Sequence, residues 1–189
     1  VSPIPADHSQ NLTGIWPKKV VNYKTVMSDA ASGFTSVTYP FPVIRMADLY
    51  LMYAEALNEK GEDYATVLPW IDMVRERSGL QGVKESWDQY VGNSKYATQT
   101  GLRQIIMQER RIELAFEGHY FWDVRRWKTA TTELTQPLTG WKVRYGETDV
   151  DYYSENLVLV RDFTPKMYFW PIDIGELRKD PNLVQNYGW

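Results

Sequence analysis

Apolar and polar positions alternate along this chain with a period that changes twice. Residues 1–39 show no sustained period; one strand-like piece, Lys19 to Val26, stands out, and Pro40 and Pro42 then hold Phe41 extended. From Val43 to Lys60 apolar residues nearly close the helical circle: Ile44, Met46, Leu49, Tyr50, Leu51, Tyr53, Ala54 and Leu57. Arg45, Asp48, Glu55 and Glu59 form the one narrow polar stripe, which predicts a helix packed on several sides and stopped by Gly61. Val67, Trp70, Ile71 and Val74 keep helical spacing and predict a second helix from about Thr66 to Ser78. Pro69 would cost roughly 3 kcal/mol in a helix interior, which puts it in the first turn behind a Thr66 N-cap. A longer helix from Asp63 with a kink is the alternative.

Gln81 to Gln99 reads as a long polar loop carrying Trp87, Tyr90 and Tyr96. A third helix is predicted over about Leu102 to Glu117 and a short fourth over Tyr120 to Lys128, with Gly118 between them. Short glycine-containing turns join the first two helices and the last two, predicting two antiparallel hairpins of tetratricopeptide-like kind, without a clean sequence repeat. Past Lys128 the helical period stops. Trp141, Val143 and Tyr145 alternate with Lys142 and Arg144, and Leu157 to Val160 is a second strand-like run, so a small hairpin across Gly146–Glu155 is expected. Tyr168 to Trp189 reads as irregular, with one helical turn near Glu176. The fold class expected is mainly α: tetratricopeptide-like antiparallel helical hairpins (40–128), an irregular lead-in (1–39), and a loop-rich part with a small β-hairpin and C-terminal tail (129–189).

Composition adds limits. With 189 residues and 14% aromatics the chain supports a real core, and its surplus of rings leaves some for loops. A net charge of −3 gives no footprint for nucleic acid. The absence of cysteine removes disulfides, thiol catalysis and thiolate zinc sites. There is no apolar run of spanning length and no signal-like segment. The chain opens at Val1 in a Pro-rich stretch, which reads as a fragment whose upstream part, with any signal or lipid-anchor cysteine, is missing.

The densest chemistry lies in Gln108 to Glu117. Leu102, Ile105, Ile106, Ile112 and Phe116 make the expected apolar face, and Glu109 and Glu113 fall on the same stripe. Two inward carboxylates need cations, and Arg45, Arg75, Arg125 and Arg126 are the supply. Two glutamates at i, i+4 lie about 6 Å apart, near the spacing of a retaining glycosidase. A buried Glu–Arg network that holds helix register is preferred, because arginines depress the pKa that a general acid needs raised. No Glu-x-x-His pair, Ser-His-Asp arrangement or phosphate loop is present, and His8 and His119 make no metal triad. Asp149 and Asp151 are a weak calcium candidate, for which a solvated loop is the plainer reading. No other cofactor is expected.

Four blocks, in order, resemble the SusD/RagB family of outer-membrane nutrient-binding lipoproteins. They are Phe41-Pro42-Val43-Ile44-Arg45-Met46-Ala47-Asp48 through Ala56; Val74-Arg75-Glu76-Arg77-Ser78-Gly79-Leu80; Glu109-Arg110-Arg111-Ile112-Glu113-Leu114 through Trp127; and Pro171-Ile172 through Pro181-Asn182-Leu183 to Trp189. Asp173 and Tyr187 depart from the family's usual residues. The resemblance implies a helical, non-catalytic protein on the outer face of the outer membrane, held there by a lipid anchor. It also implies capture of oligosaccharide or peptide for a TonB-dependent, SusC-like transporter. No ligand contact carries over by motif. Flat rings suit the C–H faces of sugars, so Trp87, Tyr90, Trp141, Tyr145, Tyr152 and Tyr153 are the candidate ligand contacts. A glycoside hydrolase using Glu109 and Glu113, and a helical-repeat interaction scaffold, are the alternatives.

Overall fold

The computed structural model describes residues 17–27, 33–142 and 147–189. The chain divides into two compact units, Lys18–Tyr120 and a second that holds Phe121–Trp189.

The first unit is built on helices α1 (Met46–Lys60), α2 (Tyr64–Arg77) and, after further short turns, α4 (Gln99–Glu113). Gly61 closes α1 at φ +87°, donating its N–H to the Asn58 carbonyl, while the Glu62 N–H reaches back to Leu57. A Cβ at this φ is strained, which is why glycine ends the helix. Three residues then bring α2 back along α1 as an antiparallel hairpin. α2 takes the longer of the two expected forms, the one that begins at Asp63. Asp63, not Thr66, is the N-cap; its carboxylate accepts from Ala65 N at 3.1 Å, and Pro69 sits beyond the first turn. A carboxylate cap at this end satisfies an orphan N–H and opposes the helix dipole, which offsets part of the proline's cost.

The expected polar loop 81–99 is largely ordered turns. It holds α3 (Val83–Ser86), a π-turn over Trp87–Val91 and a 3-10 turn over Lys95–Ala97. Asp72 of α2 accepts the Val83 N–H at 2.7 Å, and Tyr96 donates its hydroxyl to Asp88 at 2.8 Å, so side chains replace the missing helical ladder. Gly101 of α4 lies against the Lys95 carbonyl, where a Cβ would clash. The core is the contact of Leu51 and Ala54 with Val67, Ile71 and Val74 and with Leu102, Ile105 and Ile106, closed by Val83 and Tyr96. Asn58, also buried, donates to the Gln99 carbonyl, and Gln99 donates back to the Asn58 carbonyl, which latches α1 to α4.

Two expectations for these helices fail. α1 buries only one side; Met46, Leu49, Met52 and Tyr53 are exposed. α4 stops at Glu113, and Ile112 and Phe116 are 63% and 62% exposed instead of joining the core. The chain turns through Leu114 to Glu117 with Phe116 at φ +65°, a conformation that bulky residues avoid. Lys19 to Val26 is mostly turns, and only Val26–Met27 pairs, as β1, with β2 (Phe34–Thr35).

The second unit contains most of α5 (His119–Arg126), α6 (Ala130–Glu133), the antiparallel pair β3 (Leu138–Trp141) and β4 (Glu155–Leu159), and α7 (Asp149–Tyr152) between those strands. The hairpin therefore forms, but with its first strand ending at Trp141; Val143, Arg144 and Tyr145 of the predicted alternation lie outside the described residues. A 3-10 turn (Pro165–Tyr168) and α8 (Ile174–Lys179) complete the unit. Asp173 is the α8 N-cap, accepting from Gly175 N at 2.7 Å, a role a proline could not play. The described residues are mainly helical, of tetratricopeptide-like kind, with two small antiparallel strand pairs and irregular loops.

Candidate functional site

Two constellations stand out, one in each unit, and they differ in chemistry. In the first unit the charged end of α4 meets the start of α1. Arg45, the N-cap residue of α1, holds Glu117 through two nitrogens at 2.8 and 2.7 Å and Glu113 through the third at 2.8 Å. Lys19 also pairs with Glu117, and Arg77 straddles the Glu113 carboxylate at 2.8 Å to each oxygen. Arg75 pairs with Glu109 and donates to the Gln81 carbonyl and the Ser86 hydroxyl. Deeper still, Arg110 meets Asp48 at 2.9 Å, with Glu55 beside it, and both Arg110 and Asp48 are buried.

The electrostatics follow from this packing. Burial alone would push the Glu117 carboxyl up, but Arg45 and Lys19 overcome it and hold it below its ordinary range. Glu117 in turn, more than any other neighbour, raises the Arg45 guanidinium above its usual value. Glu109 runs the other way: burial outweighs Arg75 and raises its pKa, contrary to the expectation that arginines would depress it. Its carboxylate and that of Glu113 are each occupied by guanidinium groups. A hydrolytic pair needs one carboxyl free to reach the leaving group and the other free to reach carbon or water.

Arg125 and Arg126 have other partners than Glu109 and Glu113. Arg125 donates to the carbonyls of Met167 and Tyr168, 2.6 Å each, with its guanidinium over the rings of Phe121, Phe163 and Trp170. Arg126 pairs with Asp123 at 2.8 Å. Arg110, Asp48, Glu117 and Asp123 were not among the ion-pair residues expected from sequence. The signal for Arg110 was available, since it lies four residues after Ile106 and eight after Leu102, on the buried stripe itself.

The second constellation is aromatic. Trp141 ends β3; the Lys142 N–H donates to the Tyr152 carbonyl at 3.0 Å, and Lys142 Nζ meets Asp151 at 2.8 Å. Thr148 caps α7 by accepting the Asp151 N–H, and Ser154 Oγ donates to the Asp151 carbonyl at 2.6 Å. These bonds fold the segment back so that Tyr153 lies edge-on to both Trp141 (5.3 Å, 85°) and Tyr152 (5.0 Å, 82°). Trp141 is 40% and Tyr153 62% exposed. Perpendicular rings held at a surface make a corner with apolar faces and a phenol edge. Tyr145 lies outside the described residues.

The other loop rings divide. Trp87 packs on the helical core with Lys95 over its face, whereas Tyr90 is 72% exposed. For calcium, Asp151 is already engaged by Lys142 and the Glu147 N–H, which hold its carboxyl below the ordinary range. Among the described residues, no group of three or more His, Cys, Asp or Glu side chains is arranged to hold a metal ion, and no helix is long and apolar enough to cross a membrane.

Comparison with known proteins gives one consistent answer. A family model described as the SusD family matches residues 2–189. SusD-like protein P25 of Formosa agariphila is 39% identical over 144 residues, 76% of this chain and 23% of that protein. A solved SusD-like carbohydrate-binding protein from Bacteroides fragilis is 31% identical with a TM-score of 0.62, over 79% of this chain and 29% of that one. A second SusD-like structure from the same species reaches a TM-score of 0.67 at 28% identity, over 85% and 28%. The chain spans about a quarter of the length of the curated relatives it matches.

Proposed function

The chain belongs to the SusD family, and from that premise we propose that it takes part in non-catalytic capture of a glycan at the cell surface, for hand-over to a TonB-dependent outer-membrane transporter. The observation that carries this reading is the corner of exposed Trp141 and Tyr153, backed by half-buried Tyr152. Sugar rings present C–H faces that pack on such rings, and their hydroxyls find the neighbouring phenol and the Lys142–Asp151 pair. The solved relative that is described as carbohydrate-binding lends support. The occupied state of Glu109 and Glu113 supports binding without hydrolysis. A peptide ligand would use the same rings with less need of the polar pair. Attachment to the outer membrane by a lipid anchor belongs to the same proposal.

The test is a titration with soluble polysaccharide fragments, read by retardation in glycan-containing native gels. Tyr153→Ala and Trp141→Ala are each expected to weaken binding about tenfold or more, the loss of a central aromatic contact. Binding unchanged in both variants sinks the assignment of the site. Release of reducing ends by the wild-type chain would refute the non-catalytic part. Co-purification of the transporter with the tagged protein, retained in both variants, tests the hand-over.

The exposed apolar side of α1, with Met46, Leu49, Met52 and Tyr53, favours a second role as a protein-docking scaffold. A scaffold alone predicts partner capture with no glycan retardation.

A further inference from the structure

Within the first unit, a cavity of about 450 Å³ lies where the turn from α1 to α2 meets the Lys95–Ala97 turn and the start of α4. Tyr64, Tyr96 and Leu102 give it apolar walls, and the two tyrosine rings stand edge to face at 5.5 Å. Glu62 and Asp63 line it with carboxylates, and among the described residues no Lys, Arg or His lines it. Two helices begin here, and an uncapped helix start favours an anion. Both starts are capped: the Asp63 carboxylate accepts the Ala65 N–H, and the Thr98 hydroxyl accepts the Gly101 N–H, each at 3.1 Å.

Donors and acceptors in this lining are out of balance. Asn58 Nδ2 donates to the Gln99 carbonyl, and Gln99 Nε2 donates to the carbonyls of Asn58 and Glu59. The other ends of these two amides, Asn58 Oδ1 and Gln99 Oε1, take no donor among the described residues, although Asn58 is only 1% exposed. A buried amide oxygen without a partner is costly until something outside the fold supplies a donor. Asp63 uses Oδ1 for its cap, and its Oδ2 takes no donor among the described residues. Glu62 has Lys60 at 2.7 Å, a bond weakened by water because the Lys60 side chain is 73% exposed. Lys60 against Glu62 and Asp63 leaves one negative charge over.

A carboxylate or phosphate would bring only acceptors and meet like charge. A sugar hydroxyl brings acceptors along with its one donor. An ammonium group brings three donors, no acceptor and the missing positive charge, and it is attracted to the face of a tyrosine ring. We propose that this cavity binds a primary ammonium group carried on a small body, the nitrogen on the free oxygens of Asp63, Asn58 and Gln99 and the body against Tyr64 and Leu102. An amino sugar and the N-terminal residue of a peptide share that chemistry. The site is separate from the aromatic corner and does not rest on the glycan reading.

The probes are D-glucosamine, N-acetyl-D-glucosamine, D-glucuronate and L-leucinamide, titrated into the chain at about pH 6, where α-amino groups are protonated. The side-chain amide signals of Asn58 and Gln99 are followed by NMR and are expected to shift saturably with glucosamine or leucinamide. N-acetylglucosamine, which lacks the charge, should bind about tenfold or more weaker than glucosamine, and glucuronate weaker still. Glucosamine tighter than leucinamide identifies an amino-sugar site; leucinamide equal or tighter identifies a peptide terminus, and either supports the proposal. Asp63→Asn keeps a cap for α2 while removing the charge, so the chain stays folded, and it should lose about tenfold in affinity for the amines. Lys60→Ala, which leaves Glu62 without its cation, should tighten the amines about twofold or more. The proposal is overturned by glucosamine and its acetylated form binding equally, by glucuronate binding tightest, by affinity unchanged in Asp63→Asn or weakened in Lys60→Ala, or by no saturable shift at either amide.

Discussion

The two units solve the problem of a stable interior in different ways. In Lys18–Tyr120, aliphatic side chains from three helices fill the centre, and charges at the helix ends are paired: Arg110 with Asp48, Arg75 with Glu109, Arg45 with Glu113 and Glu117. In Phe121–Trp189 the buried apolar residues among those described are Val124, Ala130 and Phe163, and rings such as Trp122, Trp141, Tyr153, Trp170 and Tyr187 lie exposed. Its order comes from hydrogen bonds to carbonyls and from cations over rings: Arg125 on Met167 and Tyr168, and Trp189 Nε1 on Lys166 and Phe169 with Lys166 over its face. Aliphatic cores resist change because each lost atom leaves a cavity. Ring surfaces tolerate it, and that is where binding specificity can vary without loss of the fold. On the proposed reading the first unit is the frame and the second the contact surface.

Urea unfolding monitored by far-UV circular dichroism separates these roles. The largest loss is expected for Arg110→Ala, about 3–5 kcal/mol, because Asp48 is left as an uncompensated buried charge. Arg110→Ala combined with Asp48→Ala should cost less than the sum of the two single changes; additivity would show that the pair is no unit. Ile71→Ala, at a fully buried position where α1, α2 and α4 meet, should cost about 2–5 kcal/mol. Glu117→Gln should cost about 1.5–3 kcal/mol at neutral pH by weakening charge-assisted bonds to Arg45 and Lys19.

The Glu117 effect carries a pH signature. A carboxyl held below its ordinary value contributes stability that is present above the unfolded pKa and is lost as the pH falls through the folded one. The difference between wild type and Glu117→Gln should therefore shrink below about pH 4. Glu109, raised by burial, has the opposite sign: the cost of its charge is present at neutral pH and vanishes as the pH falls through its raised value. Asp63→Ala, removing the α2 cap, should cost about 1 kcal/mol. Tyr153→Ala should be smallest, under about 1 kcal/mol, while abolishing most glycan retention. A Tyr153→Ala loss as large as that of Ile71→Ala would erase the distinction between frame and contact surface.

Much of the frame was legible before any coordinates. Helical spacing in Val67, Ile71 and Val74 and in Leu102, Ile105 and Ile106 marks α2 and α4, and Gly61 marks the end of α1. Two carboxylates on an apolar stripe required cations, and Arg45 and Arg75 supply them. The misreadings share one cause. Arg110 sits on the stripe that buries Ile106, and Ile112 and Phe116 belong to a helix end that unwinds, so residue type was followed where position decided. Among the candidate contacts, composition alone could not separate Trp87, packed on the core, from Tyr90, exposed, since both sit in the same polar stretch.

The sequence by itself therefore determines the family, the helical periods and the need for buried ion pairs, because these depend on spacing along the chain and on the cost of an unpaired charge. Which cation meets which carboxylate and which rings assemble at Trp141 are decided only by the tertiary structure. Those features join residues from about a dozen to 72 positions apart, whose approach is set by how the helices pack and the turns fold, and spacing along the chain carries no record of it.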